Sequence, residues 1–346
     1  MRAGRGAANG TPGSAAQAYA STRIGRITKG RFERKKRRWS VNTVWLCSQR
    51  VTLVSFVKSS WPAKKTWFGK SWITFRLTNW KWKDLRRSFN LAAKVNHNAD
   101  RAIPPIVFVH GLFGHLRESA KAMEARGRVA LAPDLLGYGE RRKMSDVAVS
   151  LPAQVHELRS CIRSTFGNLR VDLVGHSVGG AIAMLLASEE PEMIRRVVSI
   201  EGNFTLKDAF WSASLGQMSI PQVAAVLEGF AADPAGWLAR SGVPATAANL
   251  EIARDWVRFQ PAITLRDMGH STVEVTGSPA YLEAVRDVFD SSEVYLLSGE
   301  RSHSQWDVPD WALTKAKKAT TIKGTGHFLM LEQPTCFLET LDDILS

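Results

Sequence analysis

The chain has 346 residues, a hydrophobic share of 45% and a formal net charge of +14. That length suits one large or two ordinary domains burying a sizeable core. No apolar run reaches the roughly 18 residues that span a bilayer, and Cys47, Cys161 and Cys336 are too far apart for a ligand cluster. These features exclude a spanning helix and a structural zinc site, and predict free thiols.

The charge is concentrated at one end. Residues 1–100 hold 22 Lys and Arg against 3 Asp and Glu, a net +19, whereas residues 101–346 hold 24 against 29, a net −5. Residues 1–38 are rich in Gly, Ala, Ser and Arg and end in Arg34-Lys35-Lys36-Arg37-Arg38. This composition suits an organellar address or a basic, disordered arm for nucleic acid or anionic lipid.

Residues 39–100 carry seven of the twelve tryptophans, interleaved with lysines such as Lys64, Lys65, Lys81 and Lys83. Such a pattern could stack on and neutralise single-stranded nucleic acid. It has no sustained helical or strand period apart from a brief alternation over Trp72–Thr78. Its composition breaks off near Asp100, and the next methionine after Met1 is Met123. Upstream sequence translated from a misplaced start or frame would have the same texture. The expectation is a poorly ordered basic extension over 1–100 and a single domain over 101–346.

From Ala102 the chain alternates. Pro104-Pro105 precede Ile106-Val107-Phe108-Val109, a continuous apolar run of the kind that forms a buried parallel strand. It opens into His110-Gly111-Leu112-Phe113-Gly114. A helix over Arg117–Arg126, a strand over Val129–Ala132 and a helix over Pro152–Phe166 follow. Val171–Val174 reads as a strand, the run after Ser177 as a helix, and Ile194–Ile200 as a strand ending at Glu201-Gly202-Asn203. Residues 204–275 break the alternation with helical pieces at Pro221–Phe230 and Leu250–Phe259 and joints at Pro234, Pro244 and Pro261. They read as a helical cap. A helix over Ser278–Phe289, strands over Val294–Leu297 and Ala319–Ile322, and a helix over Pro334–Leu345 complete the chain. Strands alternating with helices of this length predict an α/β fold with a mostly parallel, doubly wound sheet, whose site lies at the C-terminal strand ends. His110, Asp134, Ser177 and Glu201 all stand at such ends.

The most informative stretch is Val171-Asp172-Leu173-Val174-Gly175-His176-Ser177-Val178-Gly179-Gly180. It is G-x-S-x-G between a strand and a helix, where the serine sits on a very tight turn and its neighbours must be nearly free of side chain. The other reading is a Gly-rich turn with a solvated serine.

Together with His110-Gly111, Pro133-Asp134-Leu135-Leu136-Gly137-Tyr138-Gly139 and Gly324-Thr325-Gly326-His327-Phe328, this motif makes residues 104–346 resemble the α/β-hydrolase superfamily, in its capped esterase, lactonase and C–C-hydrolase branch. The resemblance implies Ser177 as nucleophile, activated by His327 as base. It implies an oxyanion hole from the backbone N–H groups of Val178 and Leu112. His110 would then prop the oxyanion loop, His176 would pack beside the serine, and Asp134 would have a structural role. The family commonly places its acid three residues after the glycine ending the penultimate strand. Here that glycine is Gly299 and the third residue on is Ser302. Glu201 is therefore the favoured acid, Glu300 the alternative, and Asp307 or no acid at all remain open.

A serine nucleophile argues against haloalkane dehalogenase and epoxide hydrolase chemistry and leaves acyl transfer to water. Phe204, Phe210, Trp211, Phe230 and Trp237 suggest an apolar, aromatic pocket for a small acyl substrate. The expected activity is hydrolysis of a small apolar ester or lactone by a cytoplasmic enzyme without cofactor or metal. The missing acid near Gly299 keeps a non-catalytic ligand or partner receptor as the alternative.

Overall fold

The computed structural model describes residues 103–143 and 148–346 in full, and the backbone of 41–46 and 49–54. The chain divides into two units, Met1–Phe75 and Arg76–Ser346.

In the first unit, β1 (Val41–Leu46) pairs antiparallel with β2 (Gln49–Val54), Val41 opposite Val54 and Leu46 opposite Gln49. The sequence shows no sustained strand period over these residues. Both segments are rich in the β-branched residues that favour strands, but their apolar residues fall at odd and even positions alike, so no clean alternation signals them. The brief alternation at Trp72–Thr78, the basic run at 34–38 and Cys47 lie outside the described residues.

The second unit is built on six strands: β3 (Ile106–Val109), β4 (Ala130–Leu131), β5 (Val171–His176), β6 (Ile194–Ile200), β7 (Glu293–Gly299) and β8 (Lys318–Ile322). Their order across the sheet is β4-β3-β5-β6-β7-β8, and every pairing is parallel. The order reverses at β3, which lies between β4 and β5, so the crevice at its C-terminal end is where a ligand site belongs. The central strands are covered on both faces; β3 reads as an unbroken apolar run, whereas β5 and β6 also carry Asp172 and Arg195, which pair with each other. Val107, Leu173, Val174 and Val197 are all fully buried.

The helices of the α/β frame are α1 (Arg117–Ala125), α2 (Leu151–Phe166) and α3 (Val178–Glu189). Five more follow β6: α4 (Phe210–Gln217), α5 (Ile220–Ala232), α6 (Pro234–Arg240), α7 (Ala247–Phe259) and α8 (Ala262–Thr276). Then come α9 (Pro279–Ser291), α10 (Asp310–Lys315), α11 (Leu329–Glu332) and α12 (Pro334–Leu345). Prolines mark helix starts, with one in the first turn of α2, α5, α6, α9 and α12, where a missing N–H costs nothing. Ser150 and Ser278 cap α2 and α9 by accepting from the Ala153 and Tyr281 N–H groups.

The helical stretch between β6 and α9 is bolted to the frame. Thr264 donates to the Gly137 carbonyl at 3.0 Å, and the Leu151 N–H donates to Ser271 at 3.0 Å. The buried His115 ring reaches Glu118 at 3.1 Å on α1 and Asp255 at 2.7 Å on α7. Among the described residues, no helix is long and apolar enough to cross a membrane. Cys161 and Cys336 are free.

Candidate active site

Ser177 sits between β5 and α3 with φ +54° and ψ −126°, a conformation that L residues rarely adopt. Its N–H donates to the Ile200 carbonyl at 2.9 Å and its carbonyl accepts from Gly180 at 2.8 Å. The flanking glycines are sterically required. A Cβ on Gly179 would lie 2.2 Å from the Val109 carbonyl oxygen, and one on Gly175 would lie 2.5 Å from the Gly179 oxygen. α3 can therefore start against the ends of β3 and β5 only if both positions are bare. Strain of this kind costs on the order of 1–3 kcal/mol and persists where surrounding structure over-determines it.

Glu201 follows β6 with φ +43°; it and Ser177 are the non-glycine residues with positive φ among the described residues. Its N–H donates to the Leu297 carbonyl at 3.0 Å. The carboxylate is buried and fully engaged. Oε2 accepts from His327 Nδ1 at 2.7 Å, and Oε1 accepts from the Gly299 N–H at 2.8 Å and the Ser302 hydroxyl at 2.5 Å. Burial pushes the Glu201 carboxyl up, but its hydrogen bonds to His327, Ser302 and Gly299 outweigh burial and hold it below the ordinary carboxylate value. A carboxylate only accepts, so the proton between the two residues belongs to His327 Nδ1 and the neutral ring keeps its lone pair at Nε2.

His327 is 40% exposed and lines the same cavity as Ser177 and Glu201. Among the described residues no hydrogen bond joins Ser177 Oγ to His327; such contacts commonly tighten only when substrate is bound. The loop carrying His327 is held from the β7 side. Glu300 accepts from the Gly324 N–H at 2.9 Å, and Arg301 donates to the Gly324 carbonyl and to Glu332. Glu332 in turn accepts from the Gly326 N–H at 2.8 Å.

The expected neighbours have definite places. His176 donates from Nε2 to the His327 carbonyl at 3.0 Å, and the two rings lie 4.6 Å apart between centroids. Burial, reinforced by the neighbouring His327, lowers its pKa to about 3, so it is neutral. His110 donates from Nδ1 to the Gly111 carbonyl at 2.9 Å, and burial lowers its pKa to about 4. Tyr138 donates to the Leu112 carbonyl at 3.1 Å, fixing that peptide plane. A Cβ on Gly111 would lie 2.9 Å from Ser177 Cβ, so this loop runs against the serine. Among the described residues, the N–H groups of Leu112 and Val178 donate to no protein acceptor. Asp134 accepts both short bonds from Arg117 and one from the Glu140 N–H, which ties the turn after β4.

Of the carboxylates weighed as the acid, only Glu201 bonds His327. Glu300 bonds Gly324, and Asp307 accepts from Thr205 at 2.6 Å and Lys207 at 3.4 Å.

The cavity measures about 630 Å³. Phe230 stacks on Trp237 at 5.3 Å and meets Trp211 at 6.3 Å and Phe113 at 5.6 Å, forming an aromatic wall. Phe210 lines it too and is half exposed. Phe204 does not line the cavity. It is buried against Phe289 and Trp306, because the loop after Glu201 turns it into the core. Phe113 and Phe328 also line the wall; both stand in the quoted stretches His110–Gly114 and Gly324–Phe328, where the sequence gives no sign that their rings face a pocket. Ser302 was noted there only as the place where an acid is missing. Among the described residues no group of His, Cys, Asp and Glu could hold a metal ion.

The parallel sheet and the strand–serine–helix turn are those of one large class of enzymes. The chain belongs to the alpha/beta hydrolase family, whose model matches residues 106–338. Over 123 residues it is 36% identical to the sn-1-specific diacylglycerol lipase ABHD11 of Mus musculus, covering 34% of this chain and 38% of that protein. Over 138 residues it is 28% identical to the 2-hydroxy-6-oxo-2,4-heptadienoate hydrolase of Pseudomonas putida, covering 37% of this chain and 49% of that one. The chain thus matches less than half the length of either relative. A carboxylesterase structure from the thaumarchaeon Nitrososphaera gargenis shares the fold, with a TM-score of 0.55 at 15% identity over 70% of this chain and 89% of that one.

Proposed function

We propose that the chain is a serine hydrolase that cleaves a small apolar ester, lactone or related acyl substrate through an acyl-enzyme on Ser177. The observation that carries this reading is the 2.7 Å bond from His327 Nδ1 to Glu201, in a cavity that also holds Ser177. It presents the His327 Nε2 lone pair as a base in that cavity.

In the first half-reaction Ser177 Oγ bonds to the substrate carbonyl carbon as its proton passes to His327 Nε2. The carbonyl electron pair moves to oxygen, where the Leu112 and Val178 N–H groups stabilise it; one such donor is worth about 3–4 kcal/mol. Collapse expels the alcohol, which takes the proton from His327. A water then repeats the sequence, losing its proton to His327, and releases the acid with Ser177 restored. Glu201 stays ionised throughout and offsets the positive charge that His327 acquires in each half.

The five helices α4 to α8 act as a cap, and the aromatic wall receives the apolar part of the substrate. A cavity of about 630 Å³ falls within the range of small-molecule sites, about 300–1,000 Å³. The mouse relative is named a diacylglycerol lipase, so acyl esters are the first substrates to test. The decisive experiment compares fluorophosphonate labelling of wild type and Ser177→Ala, with p-nitrophenyl esters of graded chain length assayed in parallel. Labelling and turnover should vanish together in the variant. A folded wild type that neither labels nor turns over would replace this reading with a non-catalytic receptor for an apolar ligand.

A further inference from the structure

The loop after β7, which in the family commonly supplies the acid, here supplies none, yet each of its first three residues holds part of the site. Glu300 and Arg301 bind the Gly324 peptide on the His327 loop, and Ser302 binds Glu201. Resting on the triad proposed above, we infer that Ser302 is a positioning residue for Glu201: its hydroxyl, with the Gly299 N–H, fixes the rotation of the carboxylate so that Oε2 faces His327.

Three observations carry this. The Ser302 hydroxyl donates to Glu201 Oε1, a charge-assisted bond from a neutral donor to a buried carboxylate. The oxygen it holds is the one that does not touch His327, so the contact fixes the carboxylate plane without competing for the base. Glu201 also needs outside support. It leaves β6 at a positive φ, and a glutamate has one more rotatable bond than an aspartate. A second donor on Oε1 removes that freedom. The titratable groups facing Glu201 are His327 and, beyond it, the buried neutral His176.

Without the Ser302 hydroxyl, the Gly299 N–H still holds Oε1. The negative charge is less dispersed, however, and the carboxylate can rotate. Glu201, whose carboxyl the Ser302 bond helps to lower, then holds its proton to higher pH.

The test uses the full-length protein, p-nitrophenyl ester kinetics, thermal unfolding, and the variants Ser302→Ala, Ser302→Thr and Glu201→Gln. For Ser302→Ala the expected result is a kcat about tenfold lower, as for one charge-assisted hydrogen bond. KM should be unchanged and the acid limb of kcat/KM displaced to higher pH. Ser302→Thr, which keeps the hydroxyl, should restore both. A Ser302→Ala enzyme with wild-type kcat and pH profile overturns the inference. So does one that loses only melting temperature, because a purely structural serine would leave the acid limb in place. If Glu201→Gln itself turns over like wild type, the triad reading fails and this inference fails with it. An impaired Glu201→Gln beside a normal Ser302→Ala removes this inference alone.

Discussion

Replacing Glu201 by glutamine changes one atom type and no volume, and the surroundings of the carboxylate decide what it does. Oε1 accepts from two donors, the Gly299 N–H and the Ser302 hydroxyl, while Oε2 faces His327 Nδ1. The amide oxygen will therefore take the Oε1 place and the amide NH2 will face His327. To accept from that NH2, Nδ1 must give up its proton, and the ring becomes the tautomer with hydrogen on Nε2. That tautomer cannot take a proton from Ser177. Flipping the amide restores the right tautomer but turns the NH2 toward the Gly299 N–H, which cannot rotate away. A buried unsatisfied donor costs about 1–3 kcal/mol. The variant also lacks the negative charge under the imidazolium that forms in the transition state, worth about another 2–3 kcal/mol for a charge-assisted bond.

The two terms together predict a kcat lower by about 10²–10⁴, in keeping with the loss when a triad acid is amidated elsewhere. Both donors keep an acceptor, so stability should change little. The assay is p-nitrophenyl ester hydrolysis with the initial rate of fluorophosphonate labelling, checked by thermal unfolding. A folded Glu201→Gln enzyme within tenfold of wild type would refute the tautomer argument and the choice of Glu201 together.

Three further predictions follow from the same geometry. Glu300→Gln should stay within about threefold of wild type in the same assay, because its amide oxygen can still accept from the Gly324 N–H; a loss of a hundredfold would make Glu300 the acid. Phe230→Ala should raise KM for longer acyl chains by about tenfold and leave the shortest ester nearly unaffected, since it removes the ring stacked on Trp237; equal effects across the series would place the acyl chain elsewhere. Stability should fall on acidification below pH 6.5. The His110 and His176 pKa values are lowered to about 4 and about 3, so the unfolded chain binds their two protons first and each histidine costs the fold about 1.4 kcal/mol per pH unit. Asp208, raised to about 6 by burial, works the opposite way from about pH 6 down and offsets roughly one of them. Urea unfolding should thus lose roughly 1.4 kcal/mol per unit between pH 6 and 4.5, and about twice that in Asp208→Asn. A flat profile in both proteins would contradict the buried neutral state of the two histidines.

The parts of this molecule that could be read from sequence share a physical cause. A strand buried on both faces is apolar throughout, so Ile106–Val109 begins and ends where its apolar run does; Ile194–Ile200 keeps apolar ends but is interrupted by Arg195, Arg196 and Ser199. Ser177 is legible because bare neighbours are forced on it by the Val109 and Gly179 oxygens, and His327 because it closes a Gly-containing loop after the last strand. The helical insertion was read only in part. α5 and α7 have apolar periods, whereas α4 and α6, of 8 and 7 residues, are too short to display one. Phe204 shows the opposite failure: aromatic identity is visible in the sequence, but the direction of the ring depends on how the loop turns after Glu201.

The proposed acid lies between these cases. Its place at a strand end could be read, but choosing between Glu201 and Glu300 required knowing which side chain reaches His327. Their backbones differ in a way the sequence does not display. Glu201, like Ser177, is a non-glycine residue at positive φ, and its N–H is tied to Leu297 on the next strand. A glycine at 201 would remove the backbone strain, but it would also remove the carboxylate that His327 bonds. A neighbouring serine supplies the donor where the resemblance led one to expect a carboxylate. The sheet therefore holds two strained residues at the ends of adjacent strands, β5 and β6. The cost is tolerated because each N–H bonds a strand neighbour, Ser177 to Ile200 and Glu201 to Leu297. Those two bonds carry the proposed nucleophile and the proposed acid on one rigid layer, so their relative position is set by strand pairing rather than by loop conformation. Only His327 rides on a loop, and two of the residues that hold that loop, Glu300 and Arg301, follow β7, the strand between β6 and β8.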